Sequence, residues 1–364
     1  MPDVAVVGQD PAFGGGALAQ MEAFLSAARG TGREAELLYV PHPTFHPAVR
    51  TSPLDRVELL RLLRGSRSLA PRVREARSAW VVAPLATHGV AATLADRPYA
   101  CWVGTSLAAE NRGRRVGLRP SRRVALHLNA PVLATLERRV LRNAARVYAT
   151  GFSSRRDVAR AAGVDAERIG ILPLPVDVDR FTPEPNERWL ARLEAPVLAF
   201  VGRADDPRKN LTLALEALPL LRRRIPAARL RIIGRNAPSG HDGVESLGEV
   251  PSLAEPLREA SVLLLPSRQE GFGIVAVEAL ASGVPVVSTP SGGPEELLRD
   301  SGGGHVLSSW DAQELADAVA DLLGDPGRLS AMRQAGRAYV AREHAPQRLQ
   351  ALVAGALEEL DRVA

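Results

Sequence analysis

A chain of 364 residues exceeds one ordinary compact core and is long enough for two domains that each bury their own. Hydrophobic residues at 46% against 24% charged exclude a disordered chain, and no apolar run approaches the roughly 18 residues of a membrane-spanning helix. The net charge of +5 points to anionic partners, while the single Cys101 excludes an internal disulfide and a cysteine-based metal site.

In chain order, Val4–Gly8, Ala35–Val40, Trp80–Ala83, Tyr99–Gly104, Ala145–Gly151 and Gly170–Leu174 read as strands, with helical patterns such as Ala17–Arg29 and Val57–Arg77 between them. Continuous apolar strands in βα alternation predict a parallel sheet covered on both faces. The chain enters directly as a strand, without the basic, apolar and A-x-A pattern of a secretory signal, so the expected location is cytoplasmic. Pro173, Pro175, Pro183, Pro185 and Pro196 punctuate a polar stretch expected to be the inter-domain linker. A second alternation runs through Val197–Gly202, Arg229–Gly234, Ser246–Val250, Ser261–Pro266, Val284–Thr289 and His305–Leu307, and helical patterns at Ala312–Leu323, Gly327–His344 and Gln347–Val363 end the chain. The expected fold class is α/β, with two Rossmann-like domains (1–185 and 186–345) facing across a central cleft and a C-terminal helix (346–364) returning to the first domain. Open parallel sheets bind ligands beyond the carboxyl ends of their strands, so chemistry is sought there.

The stretch from Leu263 onward offers such an end. An apolar strand stops at Pro266, a polar loop passes Glu270, and Gly271-Phe272-Gly273 opens a helix that carries Glu278. Glycines at a helix start let an anion approach the unpaired N–H groups, where the helix dipole also favours negative charge. Carboxylates at Glu270 and Glu278 suit the hydroxyl pairs of a sugar and a ribose. Upstream, Lys209 is the only lysine among 46 basic residues, and it follows a strand end, Gly202 and Arg203.

The pattern E-G-F-G-x-x-x-x-E at 270–278, followed by A-x-A-S-G-V-P-V-V and G-G-P-E-E, resembles the signature of the family 4 retaining glycosyltransferases of GT-B fold (glycosyl transferases group 1). The resemblance extends to V-G-R-x-x-x-x-x-K-N-L-x-L-A-L-E-A-L from Val201, to R-I-I-G from Arg231 and to P-x-x-V-D-x-D-R-F-x-P from Pro173. It covers the C-terminal half almost continuously and the N-terminal half in outline. It implies transfer of a sugar from a UDP- or GDP-linked donor to an acceptor hydroxyl with retention, without a divalent metal or other cofactor. It also implies Arg203 and Lys209 on the donor diphosphate, Glu278 on the ribose, Glu270 on the donor sugar, and the backbone of Gly271, Phe272 and Gly273 against sugar and phosphates. Arg235 and the Gly248-Glu249-Val250 turn are expected beside the base. A compact ammonium and a planar guanidinium are poorly interchangeable at one crowded phosphate oxygen, which gives Lys209 a reason to differ from its arginine-rich surroundings.

In the first half, Gly14-Gly15-Gly16 opens a helix after the first strand. The family has a glycine-rich loop there, which makes Gly15 and Gly16 donor-loop candidates. The triplet is not G-x-G-x-x-G and no acidic residue closes the next strand, which demotes a nicotinamide dehydrogenase. His88, in Ala86-Thr87-His88-Gly89, is the acceptor-side candidate, with a structural role as the alternative. Many family members place a histidine one strand later, where this chain has Thr105 and Ser106. Asp177, Asp179, Asp205 and Asp206 are read as turn residues and not as metal ligands, so no metal site is expected. The arginine-rich run Arg112–Arg156 is either a solvated face or an interfacial surface on anionic lipid, which would suit a lipid-linked or glycan acceptor at the inner face of the membrane. At 4% aromatic content it lacks the stacking residues of a nucleic-acid platform. An epimerase or hydrolase of the same fold, and a catalytically silent nucleotide-sugar-binding protein, remain the alternatives.

Overall fold

The computed structural model describes residues 2–42, 58–114, 120–238 and 240–363. Two compact units are present, and the second is built mainly from Val176–Ala345.

The first unit holds a six-stranded parallel sheet of β1 (Val4–Gly8), β2 (Ala35–Tyr39), β3 (Ser78–Ala83), β4 (Tyr99–Val103), β5 (Arg146–Ala149) and β6 (Ile169–Ile171) in the order β2-β1-β3-β4-β5-β6. β1, β3 and β4 are buried at every residue, which is why they read as unbroken apolar runs and not as alternating ones. Strand order reverses between β1 and β3, and the helix Gly15–Gly30 leaves the end of β1 there, with Gly14 and Gly15 at φ +64° and +65°. The C-terminal helix Pro346–Asp361 belongs to this unit. It packs against Gly15–Gly30: Gln350 Nε2 donates to Gly30 O at 2.9 Å, where any side chain on Gly30 would collide with the carboxamide. Asp361 pairs with Arg33 and Arg77 at 2.9 and 3.1 Å.

The second unit repeats the plan with β7 (Val197–Val201), β8 (Arg229–Ile233), β9 (Val244–Gly248), β10 (Val262–Leu265), β11 (Val286–Ser288) and β12 (Gly304–Val306) in the order β12-β11-β10-β7-β8-β9. All its pairings are parallel, and the reversal of order falls between β7 and β10. Their exits are therefore where a ligand is expected.

The proline-punctuated stretch differs from its reading as a plain linker. Asn186–Arg192 is helical and its Trp189 is fully buried, with the Arg333 guanidinium 4.7 Å above the indole ring. Arg333 donates to Gly283 O at 3.2 Å and to Glu184 O. Arg337 donates to Phe181 O, Ala281 O and Val178 O at 2.7, 2.8 and 2.9 Å. Prolines and polar residues do mark irregular backbone here, but its carbonyls are satisfied by two guanidinium forks from the helix Pro326–Glu343. Burial pulls both guanidinium pKa values down, against the opposing charges of Glu184 and Asp179.

Candidate functional site

The exits of β7 and β8 leave the second sheet as one piece. Gly202 N donates to Ile233 O at 2.9 Å, Gly234 N to Gly248 O at 2.7 Å and Ala204 N to Arg235 O at 3.0 Å. Gly234 has φ +139°, and a Cβ on it would lie 2.1 Å from Gly202 O, so the close approach of the two exits requires glycine. The β7 exit then turns on Asp206, which accepts from Arg203 Nη2 at 2.8 Å and from Arg208 Nε and Nη2 at 3.1 and 2.8 Å. Burial pushes this carboxyl up, but the hydrogen bonds and charge of Arg208 together with Arg203 outweigh it and hold Asp206 well below the usual range. Asp206 is thus a turn residue, as its place before Pro207 suggested.

The β10 exit is stitched to the same loop. Asn210 Nδ2 donates to Pro266 O at 3.1 Å and Arg268 N to Arg208 O at 2.7 Å. Between these fastenings Lys209 Nζ meets Glu270 Oε1 at 2.7 Å, although the two residues lie 61 positions apart. Ser267 Oγ donates to the same carboxylate oxygen, also at 2.7 Å. Glu270 is fixed by its backbone as well, with its N–H on Ser291 O at 2.8 Å and its carbonyl accepting from Gly293 N at 3.3 Å.

Gly271-Phe272-Gly273 lies against Gly292-Gly293-Pro294. A Cβ on Gly293 would sit 2.4 Å from Gly271 O, and one on Gly273, at φ +82°, would sit 2.8 Å from Pro294 Cγ. Gly273 caps the helix Ile274–Ala281, whose Glu278 points a buried Oε2 at no hydrogen-bond partner among the described residues. Burial pushes the Glu278 carboxyl up to about 7, with the Arg180 charge opposing. Such an orphaned acceptor costs free energy until a donor reaches it. Glu295 accepts from Gly292 N at 2.7 Å and so serves the start of its own helix. Phe272 rests on His344, ring centres 5.6 Å apart.

The structure therefore brings Lys209 and Glu270 into contact, sets Arg203 at the same strand exit, and puts Gly271, Phe272, Gly273 and Glu278 on the adjoining loop and helix. Arg235 pairs with Glu249 at 3.0 Å at the exits of β8 and β9, both side chains more than half exposed, and Val250 packs on an apolar cluster beside them. The remaining candidates belong to the first unit. Gly15 and Gly16 begin the helix after β1. His88 lies in a short turn after β3, where its Nδ1 is 3.1 Å from Leu85 O and is therefore the protonated nitrogen. Thr105 and Ser106 are buried, and Ser106 Oγ accepts from Ala109 N at 3.2 Å as a helix cap.

No motif marks Ser267 or Arg208, whose roles come from contacts between strand exits. Glu137 did carry a signal: it sits three and four residues before Val140 and Leu141, on the apolar face of the helix Pro120–Asn143. It is 3% exposed, accepts from Leu107 N at 2.8 Å, and is pushed up to about 7 by burial, against the pull of that N–H. In the arginine-rich run, Arg115 and Arg119 lie outside the described residues. Arg138 and Arg142 donate to Ala161 O and Ala162 O at 3.3 and 2.7 Å, closing the last turn of the helix Phe152–Ala162. Among the described residues no cluster of His, Cys, Asp or Glu could hold a metal ion, and no helix is long and apolar enough to cross a membrane.

Glu278 and Glu137 give the ligand-free protein a definite pH dependence. Both have folded pKa values raised from the ordinary 4.5 to about 7, so the folded chain holds these protons more firmly than the unfolded one. Their contribution to stability is fully present below about pH 4.5 and is lost as pH rises through about 7. A shift of this size corresponds to on the order of 3 kcal/mol for each buried group. Chemical denaturation at pH 5 and pH 8 measures it, and Glu278→Gln is expected to remove the Glu278 share of the difference.

Residues 195–325 match the family described as Glycosyl transferases group 1. Over 237 residues the chain is 36% identical to a GDP-mannose-dependent alpha-(1-6)-phosphatidylinositol monomannoside mannosyltransferase of Mycolicibacterium smegmatis, an alignment covering 57% of this chain and 60% of that one. It is 31% identical over 232 residues to a D-inositol 3-phosphate glycosyltransferase of Nocardia farcinica, covering 56% and 51%. The chain thus matches about half to three fifths of these relatives' lengths. Across 100% of both chains its fold is similar to that of sucrose-phosphate synthase from Thermosynechococcus elongatus, with TM-score 0.76 and 18% identity. Across 98% of this chain and 100% of the other it is similar to Anabaena HepE in complex with UDP, with TM-score 0.75 and 17% identity. The matched segment is the one that carries Arg203, Lys209, Glu270 and Glu278, so this part of the chain is similar to the glycosyl transferases group 1, and the two Rossmann-like units are of GT-B fold.

Proposed function

We propose that the protein transfers a sugar from a nucleoside-diphosphate donor to an acceptor hydroxyl with retention of configuration and without a metal ion. The observation that carries the proposal is the joining of Lys209 and Glu270 at the β7 and β10 exits, with the orphaned Glu278 oxygen on the helix that follows the Glu270 loop. As the bond from the sugar carbon to the β-phosphate breaks, negative charge grows on the departing phosphate. Lys209 and Arg203 are the fixed cations that would meet it, in the role that a metal ion fills elsewhere. The acceptor oxygen bonds to the same face of the sugar carbon, and its proton leaves on the departing phosphate oxygen. Glu270 would accept from the sugar hydroxyls and Glu278 from the ribose hydroxyls. His88, Gly15 and Gly16 are the corresponding candidates in the first unit. The relatives' names favour GDP-mannose as first donor and a phosphoinositol-bearing, lipid-linked acceptor, which also suits the basic run Arg112–Arg156.

A thermal-shift panel of GDP-mannose, UDP-glucose, ADP-glucose and dTDP-glucose, each with and without EDTA, tests the donor and the metal independence together. A ligand at about 100 times its Kd adds about 2.7 kcal/mol to the folded state. One nucleotide base is expected to give a shift that survives EDTA, and a shift abolished by EDTA would overturn metal independence. A product with a new glycosidic bond then separates a transferase from a silent binder, which would hold the donor without turnover on any acceptor.

A further inference from the structure

Ser267 is 1% exposed and takes part in three side-chain hydrogen bonds. Its carbonyl accepts from Thr289 Oγ1 at 2.5 Å and from Trp310 Nε1 at 3.1 Å, which pins the residue from the β11 and β12 exits. Its hydroxyl is thereby aimed, and it donates to Glu270 Oε1, the oxygen that also takes Lys209 Nζ. Two donors on one oxygen orient the carboxylate about its last bond and leave Oε2 as the oxygen for further donors. Lys209 alone could not do this, because a flexible ammonium follows the carboxylate wherever it turns.

We propose that Ser267 is a positioning residue of the transfer site, fixing Glu270 so that Oε1 holds Lys209 and Oε2 meets the hydroxyls of the donor sugar. This rests on the donor reading above. The role is specific: Ser267 governs recognition of the sugar and leaves the nucleoside diphosphate to other groups.

Calorimetric titration of GDP against GDP-mannose and of UDP against UDP-glucose tests it, with the wild type, Ser267→Ala, Ser267→Cys and Ser267→Thr. The wild type is expected to bind one sugar nucleotide more tightly than its parent diphosphate. Ser267→Ala should cut that preference by about five- to tenfold, while the diphosphate Kd stays within about twofold. Ser267→Cys, which keeps the volume and offers only a weak donor, should behave like alanine, and Ser267→Thr should keep the preference. An equal loss for diphosphate and sugar nucleotide would mean a merely structural serine and overturn the inference. An unchanged preference in both Ser267→Ala and Ser267→Cys would overturn it too, with the donor reading intact. A wild type that binds neither pair would remove the donor reading and this inference together.

Discussion

On the transfer proposed above, Lys209→Ala is expected to slow product formation by about 100- to 1000-fold, the usual cost of removing one preorganised group that meets developing charge. The ammonium is held at 2.7 Å from Glu270 Oε1 with 24% of the side chain exposed, so it is accessible to solvent without being free to wander. Lys209→Arg is expected to recover only part of the rate, because a planar fork cannot occupy the same point beside Ser267 Oγ and Glu270. Arg203→Ala should cost less, about tenfold, since its side chain is 57% exposed and already engaged by Asp206. Steady-state kcat for product formation, with circular dichroism as the folding control, measures all three. A Lys209→Ala enzyme within about threefold of wild type would remove the ammonium from the mechanism.

The largest effect on stability is expected at Trp189. The indole is fully buried in the second unit, beneath the Arg333 guanidinium. Trp189→Ala leaves a cavity, removes the face on which that cation rests, and is expected to cost about 3–5 kcal/mol. Urea denaturation followed by far-ultraviolet circular dichroism reads the change as a lower midpoint for the transition of this unit. A shift below about 1 kcal/mol would show that the helix Asn186–Arg192 contributes little, as a linker would.

The central strands β1, β3, β4, β7 and β10 are legible as apolar runs because they are buried at every residue, whereas β9 (Val-Glu-Ser-Leu-Gly) and β12 have no buried residue and carry a weaker signal. The Lys209 and Glu270 positions were legible through their motifs, and their contact followed once β7 and β10 were neighbours. Trp189 was missed because a seven-residue helix among prolines has too short a period to read, and its anchors come from more than a hundred residues away. Ser267 was missed for a related reason: a serine after a strand is ordinary until the exits of β11 and β12 are seen to hold its carbonyl. On the first unit, His88 and Ser106 were legible as strand-end residues. The cap that Glu137 supplies to Leu107 depends on the packing of a separate helix.

The four tryptophans give the protein an internal optical probe. Trp80, Trp102 and Trp189 are wholly buried, whereas Trp310 is 42% exposed with its indole N–H on the Ser267 carbonyl. A collisional quencher such as iodide reaches that one chromophore and leaves the others emitting. The quenchable part of the native fluorescence therefore reports on the strand exit that aims Ser267 at Glu270, in the unlabelled chain.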